Sequence, residues 1–343
     1  MLSENLGQRE RNILRALVNH YVATAEPVGS KTISHNYLKE LSPATIRNVM
    51  QDLEEMGLVE QPHTSAGRIP TVSGYRLFVD SLLEPEELTP GEQEKIRKRI
   101  GLGFAAIEGI LGQTSKVLGD ISLELGLALA PRFEKGILTR LELIPVADKK
   151  ILVVLALKSG LVRSLLLEVE SNLSDELLEE TRQILNEKLQ GLTVSQLKET
   201  GDARLNQTTG GDARVLKMFL ESSDEILNFD ETGQIHLGGA QNLLRQPEFQ
   251  NQNKLQNFML MLEERKFLIE LISSQGTREG ITISIGPESE NGRLSGLSLV
   301  TCSYQAGKVK GTLGVIGPNR MPYSKLISLV DYTAKIVGET LSE

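Results

Sequence analysis

The chain has no tryptophan, one cysteine, four histidines and only 4% aromatic residues among its 343. A lone Cys302 excludes an intrachain disulfide and any cysteine-based zinc cluster. His20, His35, His63 and His236 are scattered, without the short spacings that bring two ligands to one metal. The longest aliphatic run, Ile151 to Leu157, is far below the ~18–20 residues that a bilayer-crossing helix needs. Glu4, Arg9, Glu10 and Arg11 stand where a signal peptide requires an apolar stretch. These absences predict a soluble, cytoplasmic protein with no membrane partner. Excess positive charge is also missing: 37 Lys and Arg face 45 Asp and Glu, a formal net charge of −8. That excludes a nonspecific polycationic coat for nucleic acid and leaves a local binding face open. No Gly-x-Ser-x-Gly, phosphate-binding loop or Ser/His/Asp grouping occurs, so an enzyme would have no nucleophile or base. Gly101 to Ala106 matches a dinucleotide fingerprint in form only, since it follows no strand and lies in a helical pattern. No cofactor is expected.

What is present suggests two or three domains, at roughly 100–200 residues each. Residues 1–83 read as a helical unit followed by a hairpin. Ile13, Leu14, Leu17, Val18 and Tyr21 share one face of a first helix. A short second helix begins at Ser30, whose hydroxyl suits a cap, and carries Ile33 and Tyr37 inward. Ser42-Pro43 starts a third helix that stops at Gly57, because Ser accepts from free first-turn amides and Pro there loses no bond. Leu58 to Gln61 and Ile69-Pro70 then flank a turn-rich segment with Gly67 near its tip, the pattern of a hairpin. Residues 84–91, with two prolines and three acids, read as an interdomain linker.

Beyond it, apolar residues from 96 to 129 recur in steps mostly of three or four, which predicts one long amphipathic helix. Strand-like runs follow at 137–146, 150–157 and 161–169, and later at 281–285, 294–304 and 308–316, with helices at 174–190, 253–273 and 323–341. Short connections such as Ala147-Asp148 favour a mainly antiparallel sheet backed by helices. Residues 191–250, rich in Gly, Asn, Gln and Thr, read as an inserted subdomain between two parts of the sheet domain, 92–190 and 251–343. Its two Gly-Asp-Ala-Arg copies are too few for a repeat fold.

The third helix carries the chemistry. With Ile46, Met50 and Leu53 inward, Ala44, Asn48, Gln51 and Glu55 point outward and Arg47 lies on the flank. A methyl, a guanidinium and two amides are groups that meet base edges in a major groove. Asp52, Glu54 and Glu55 crowd the far half, so only the N-terminal end suits phosphate-lined DNA. Any surface helix has polar residues outside and aliphatics inside; the preceding helix and the following hairpin turn the reading toward a winged helix. There Thr45, His63, Ser65, Arg68 and Arg76 are candidates for backbone contact, although an ordinary solvated turn would look similar. Residues 1–80 hold eight Lys and Arg against nine Asp and Glu. One copy would therefore bind weakly, and useful affinity would need two linked copies.

Ala25-Glu26-Pro27-Val28-Gly29-Ser30, Leu41-Ser42-Pro43-Ala44-Thr45-Ile46-Arg47-Asn48, Asp52-Leu53-Glu54, the run from Glu60 to Pro70, and Gly74-Tyr75-Arg76 resemble the heat-inducible transcription repressor HrcA family. The resemblance implies a multi-domain α+β protein: an N-terminal winged helix-turn-helix, a GAF-like antiparallel sheet domain with helices, and an inserted dimerisation subdomain. It implies a homodimer that represses chaperonin and Hsp70-system operons at an inverted-repeat operator in double-stranded DNA, with release on heat stress and activity dependent on the chaperonin. We expect dimer contacts through the apolar faces of the long helix and of a helix at 214–229, faces that serve equally well to cover the sheet. A ligand-gated regulator and a DNA-tethered catalytic domain are the alternatives.

Overall fold

The computed structural model of the chain describes residues 6–64, 66–101, 107–131, 136–147, 149–158, 162–169, 174–205, 210–222, 235–275, 280–286, 296–306 and 309–341. Helices α1 (Gln8–Thr24), α2 (Ser30–Asn36) and α3 (Pro43–Glu55) enclose a small core with the hairpin β1 (Val59–Glu60) and β2 (Ile69–Pro70). Ile13, Leu14 and Leu17 from α1, Ile33 from α2, and Ile46, Val49, Met50 and Leu53 from α3 are its buried residues. Ser42 caps α3, its Oγ accepting from the Thr45 amide at 3.1 Å, with Pro43 in the first turn. Helix α2 starts without such help: Gly29 holds the cap position and Ser30 is already helical. Val28 adds a third extended segment to the hairpin, exchanging backbone hydrogen bonds of 2.8 and 2.9 Å with Arg68. Only glycine fits beside it, since a Cβ at Gly67 would lie 2.4 Å from the Val28 carbonyl.

Helix α4 (Val72–Leu77) continues as a wider helical turn, Phe78–Leu82, into the rest of the molecule. The acidic segment after it does not hang free. Leu88 is buried, the Glu86 amide donates to the Ser324 carbonyl at 3.1 Å, and Glu84 pairs with Arg15 at 3.1 Å.

The single long helix expected over 96–129 is two helices and a strand: α5 (Pro90–Ile100), α6 (Ile107–Ser122) and β3 (Leu125–Leu129). A reciprocal Thr89/Glu92 capping box starts α5, and Leu123, with φ of 60°, ends the helical run after α6. Leu125 and Leu129, four apart, fit a helical face and one side of a strand equally well, so their spacing could not separate the two. Residues 102–106, most of the dinucleotide-like string, lie outside the described residues.

Between β3 and its sheet neighbours the chain builds a second sheet. Among the described residues, strands β4 (Leu138–Ala147), β5 (Lys150–Leu157) and β6 (Val162–Glu168) pair only with one another, all antiparallel. Helices α7 (Asp175–Leu189), α8 (Val194–Leu205) and α9 (Ala213–Glu221) follow. Asn186 ties α7 to β4 by donating to the Leu141 carbonyl at 2.7 Å and accepting from its amide at 2.9 Å. The chain then rejoins β3 through β7 (Ile235–Gly238) and the short α10 (Ala240–Leu243). Strand pairing thus leaves the main sheet after β3 and returns at β7, whereas composition alone marked 191 and 250. Half-buried alternation in β5 reveals one covered face but not which sheet the strand joins.

The main sheet is antiparallel throughout, in the order β7-β3-β10-β9-β8, with β8 (Ile281–Ile285), β9 (Leu297–Ala306) and β10 (Val309–Pro318). The helix expected over 253–273 breaks at Glu264 into α11 (Gln252–Glu263) and α12 (Arg265–Gln275). Alternate residues face opposite ways: Leu125, Leu127, Leu297 and Leu299 pack with Phe258, Leu268 and Ile272 of these helices. Ala128, Val300, Leu313 and Val315 form the other face, toward α6 and α13 (Tyr323–Thr340). Close contact of α6 with β3 depends on Gly126, where a Cβ would sit 2.1 Å from the Ser115 carbonyl.

Candidate nucleic-acid interface

Helix α3 presents Ala44, Arg47, Asn48 and Gln51 on one exposed strip that runs from its first turn to just past its middle. Spacings of three and four residues put these side chains together on the cylinder. No hydrogen bond or ion pair among the described residues engages the side chain of Arg47 or Asn48. Gln51 makes a long contact, Nε2 to Glu55 Oε1 at 3.3 Å, which a stronger acceptor can displace. Thr45 is half-buried, its hydroxyl 2.9 Å from Ser42 Oγ, so it works in the helix start.

The hairpin tip holds His63 and Thr64, both exposed; Ser65 lies outside the described residues. Its shape comes from Gln61, which sequence reasoning did not single out. Gln61 Nε2 donates to the Thr64 and Ala66 carbonyls at 2.9 and 3.0 Å, and the Ala66 amide closes a turn on the His63 carbonyl at 2.8 Å.

Arg68 and Arg76 are placed differently from a free phosphate contact. Arg68 Nη2 lies 2.7 Å from Glu54 Oε2, clasping the hairpin to α3, and its side chain is only 20% exposed. No spacing rule connects residues 54 and 68, because the fold of the hairpin brings them together. Arg76 turns toward the main sheet: its Nη2 donates to the Ile283 carbonyl of β8 at 2.8 Å, and Nη1 lies 3.3 Å from Asp80. The structure therefore assembles the four α3 residues as one surface, uses Arg68 as a brace, and removes Arg76 to the junction with the body.

That junction has a second arginine. Arg320, after β10, donates to the Val22 carbonyl at the end of α1 at 2.8 Å, to Gln246 at 2.8 Å and to Glu248 at 2.8 Å. Nearby Glu124 is buried, its Oε2 has no hydrogen-bond partner among the described residues, and desolvation raises its pKa to about 8. Cys302 lies buried in β9, and desolvation lifts its thiol to about 11, the condition of an unreactive small hydrophobe. Among the described residues no group of three or more His, Cys, Asp or Glu is placed to hold a metal, and no helix is long and apolar enough to cross a membrane.

A three-helix unit with a braced hairpin and an exposed polar strip on its third helix defines a DNA-binding transcription regulator of the winged-helix class. Residues 5–82 match the family model described as winged helix-turn-helix transcription repressor, HrcA DNA-binding, and residues 108–327 match the HrcA protein C terminal domain. The chain belongs to the heat-inducible transcription repressor HrcA family. It is 39% identical over 338 residues to the heat-inducible transcription repressor HrcA of Geobacter sulfurreducens, covering 98% of each chain. It is 36% identical to that of Pelotomaculum thermopropionicum, covering 98% of this chain and 97% of the relative, and 35% identical to that of Chlorobium phaeobacteroides over the whole of both. A crystal structure titled only as a hypothetical protein shares the fold, with a TM-score of 0.62 at 24% identity, covering 99% of this chain and 98% of that one. Heat-inducible repression of transcription is the function this membership carries, and the family is not a class of enzymes.

Proposed function

We propose that the chain works as a homodimer whose two α3 helices read the half-sites of an inverted-repeat operator upstream of chaperone operons. The carrying observation is the polar strip of Ala44, Arg47, Asn48 and Gln51, exposed along α3 from its first turn until Gln51 meets Glu55 of the acidic end. Arg47 suits guanine, Asn48 and Gln51 suit adenine, and the Ala44 methyl suits thymine. His63 and Thr64 supply backbone contact from the hairpin, and Arg68 joins them only by leaving Glu54. The near-neutral charge of residues 1–80 makes a single module weak, so affinity comes from two linked modules.

Dimerisation belongs to the second sheet. The long-helix face is covered inside the chain, with Leu111, Thr114 and Leu118 buried, and so are Val215 and Phe219 of α9, while residues 223–229 of the helix expected over 214–229 lie outside the described residues. By contrast, Ile144, Leu152 and Leu166 align across β4, β5 and β6 on the outer face, and Ile144, Val146, Val162 and Leu166 are all exposed. An exposed aliphatic patch bordered by the Lys150–Glu168 and Arg140–Glu142 pairs is suited to a twofold partner. In this reading residues 1–83 are the DNA-binding domain and 84–91 a packed linker. The main sheet with its helices is the GAF-like domain, and the excursion between β3 and β7 is the inserted dimerising part.

Release follows from modest stability. A loss of ~1–2 kcal/mol empties much of a marginally stable folded population, so heat, or a chaperonin diverted to other clients, frees the operator. The test is a mobility-shift titration on DNA upstream of the organism's own chaperone genes, with and without added chaperonin. Tighter retention of that DNA at equal protein when chaperonin is present supports the reading. Identical isotherms contradict the chaperonin step, and no preference over random duplex contradicts operator recognition.

A further inference from the structure

Two arginines cross the junction between the winged-helix unit and the body, one from each side. Arg320 belongs to the body, and its side chain is only 12% exposed. Its Nε and Nη2 lie 2.8 and 3.3 Å from the two carboxylate oxygens of Glu248, and Nη2 also donates to Gln246 at 2.8 Å. A planar fork held at those atoms leaves Nη1 one direction, and there it donates to the Val22 carbonyl at 2.8 Å. That carbonyl is open because α1 is ending. The Glu26 amide, which a continuing helix would aim at Val22, donates to Thr24 Oγ1 at 3.2 Å instead. No basic residue stands in the last turn of α1, so the body supplies the cation that the negative end of the helix favours.

Arg76 runs the other way. It rises from α4 of the winged-helix unit, is held at Nη1 by Asp80 at 3.3 Å, and donates from Nη2 to the Ile283 carbonyl at 2.8 Å. Ile283 is the middle residue of β8, the edge strand of the main sheet, where one row of backbone groups lacks a neighbouring strand. One hydrogen bond between two bodies is a pivot; two on separate elements, running in opposite directions, stop rotation about it. Apolar packing leaves that task to them, since an open cleft of about 580 Å³ separates Tyr21 and Pro70 of the unit from Phe258 and Leu297 of the body. We propose that Arg320 and Arg76 are positioning residues that hold the winged-helix unit in one orientation on the body and so set the half-site spacing that the dimer accepts. The inference rests on the homodimer reading: with the partner contact in the second sheet, this docking fixes the distance and angle between the two α3 helices. One base pair more or less moves a half-site by about 3.4 Å and turns it by about a tenth of a helical turn, which a fixed docking rejects and a loose one follows.

The test measures binding of the full chain to the inverted repeat it selects from random duplex, to the same repeat with base pairs added to or removed from its spacer, and to a duplex with one half-site scrambled. The parent should lose about tenfold or more on a changed spacer. Arg320→Gln and Arg76→Gln should bind the selected spacing about three- to tenfold more weakly, while the changed spacings and the scrambled duplex stay within about twofold of the parent. Arg76→Lys, which keeps a charged donor, should recover part of the preference. A destabilised fold would weaken all the duplexes together; that result, or a parent-like spacing preference in both Gln variants, overturns the assignment. Spin labels at Lys39→Cys and Lys95→Cys, exposed positions on the unit and on α5, report the junction without DNA, because Cys302 is buried. One narrow distance distribution is expected for the parent and a broader one for each Gln variant, and equal widths also overturn the assignment. A parent that binds the intact repeat no tighter than the scrambled duplex contradicts the dimer reading and the spacing role with it, while the label distances still decide whether the two arginines fix the docking.

Discussion

Two arginines of the DNA-binding unit are placed in opposite ways, one free on the surface and one held in an ion pair. Arg47 is exposed and unengaged, while Arg68 is held by Glu54 at 2.7 Å. Arg47→Ala should cost ~1–3 kcal/mol on the specific site and little on random duplex, whereas Arg68→Ala should weaken both about equally. Paired binding isotherms on the two duplexes check this, and an equal loss for Arg47→Ala would remove it from base recognition. The exposure of Arg47 was legible in the sequence, because helical geometry alone decides which side of α3 a residue occupies. The ion pair of Arg68 was not, because Glu54 and Arg68 meet only after the hairpin has folded. Glu124 belongs to the same scale. Its folded pKa is raised from 4.5 to about 8 by burial, so between those pH values the folded state keeps a proton that the unfolded state has lost. Stability should therefore fall as pH rises from about 4.5 to 8, by up to ~1.4 kcal/mol per unit, and level off above. Denaturant melts of Glu124→Gln should show that part of the slope removed.

At the scale of elements, strong local signals survive in the structure. Ser42-Pro43 starts α3 and the apolar stripe of α3 is buried as its periodicity requires, because a cap and a face are properties of adjacent turns. Weak signals failed where one pattern served two structures: Leu125 and Leu129 completed a helical face on paper and lie on one side of β3 in the fold. Ser30 was expected to cap α2 and is its first residue. Gly67 has a purpose that spacing could not reveal, since its neighbour is the backbone of Val28 on a different segment. Gly67→Ala should destabilise the hairpin by ~1–3 kcal/mol and lower affinity for DNA, with the base preference set by α3 retained. Thermal melts together with a selection of preferred sequences by the variant would show this; a hairpin unaffected by the added methyl would contradict the close approach.

For the whole molecule, short connections revealed antiparallel pairing, yet sheet membership stayed hidden. Alternation in β4, β5 and β6 says that one face is covered; that among the described residues these strands pair only with each other is a long-range fact. The consequence is an outer face with an exposed aliphatic patch, in which Leu166 is 47% exposed. Leu166→Arg should leave the fold intact and shift the protein toward monomer, read by sedimentation equilibrium at micromolar concentration, with operator affinity falling in parallel. Contacts between the winged helix and the body, through Arg320 to Val22 and Arg76 to Ile283, were equally invisible, since 298 and 207 residues separate the partners. They make the body a part of how the DNA-binding unit is presented.

The most direct test of recognition by two linked modules is an equilibrium titration of the intact chain on the inverted repeat it selects from random duplex, set against the same duplex with one half-site scrambled. The account predicts that the intact repeat binds tighter by ~10²–10⁴-fold. Equal affinity for the two duplexes would contradict it.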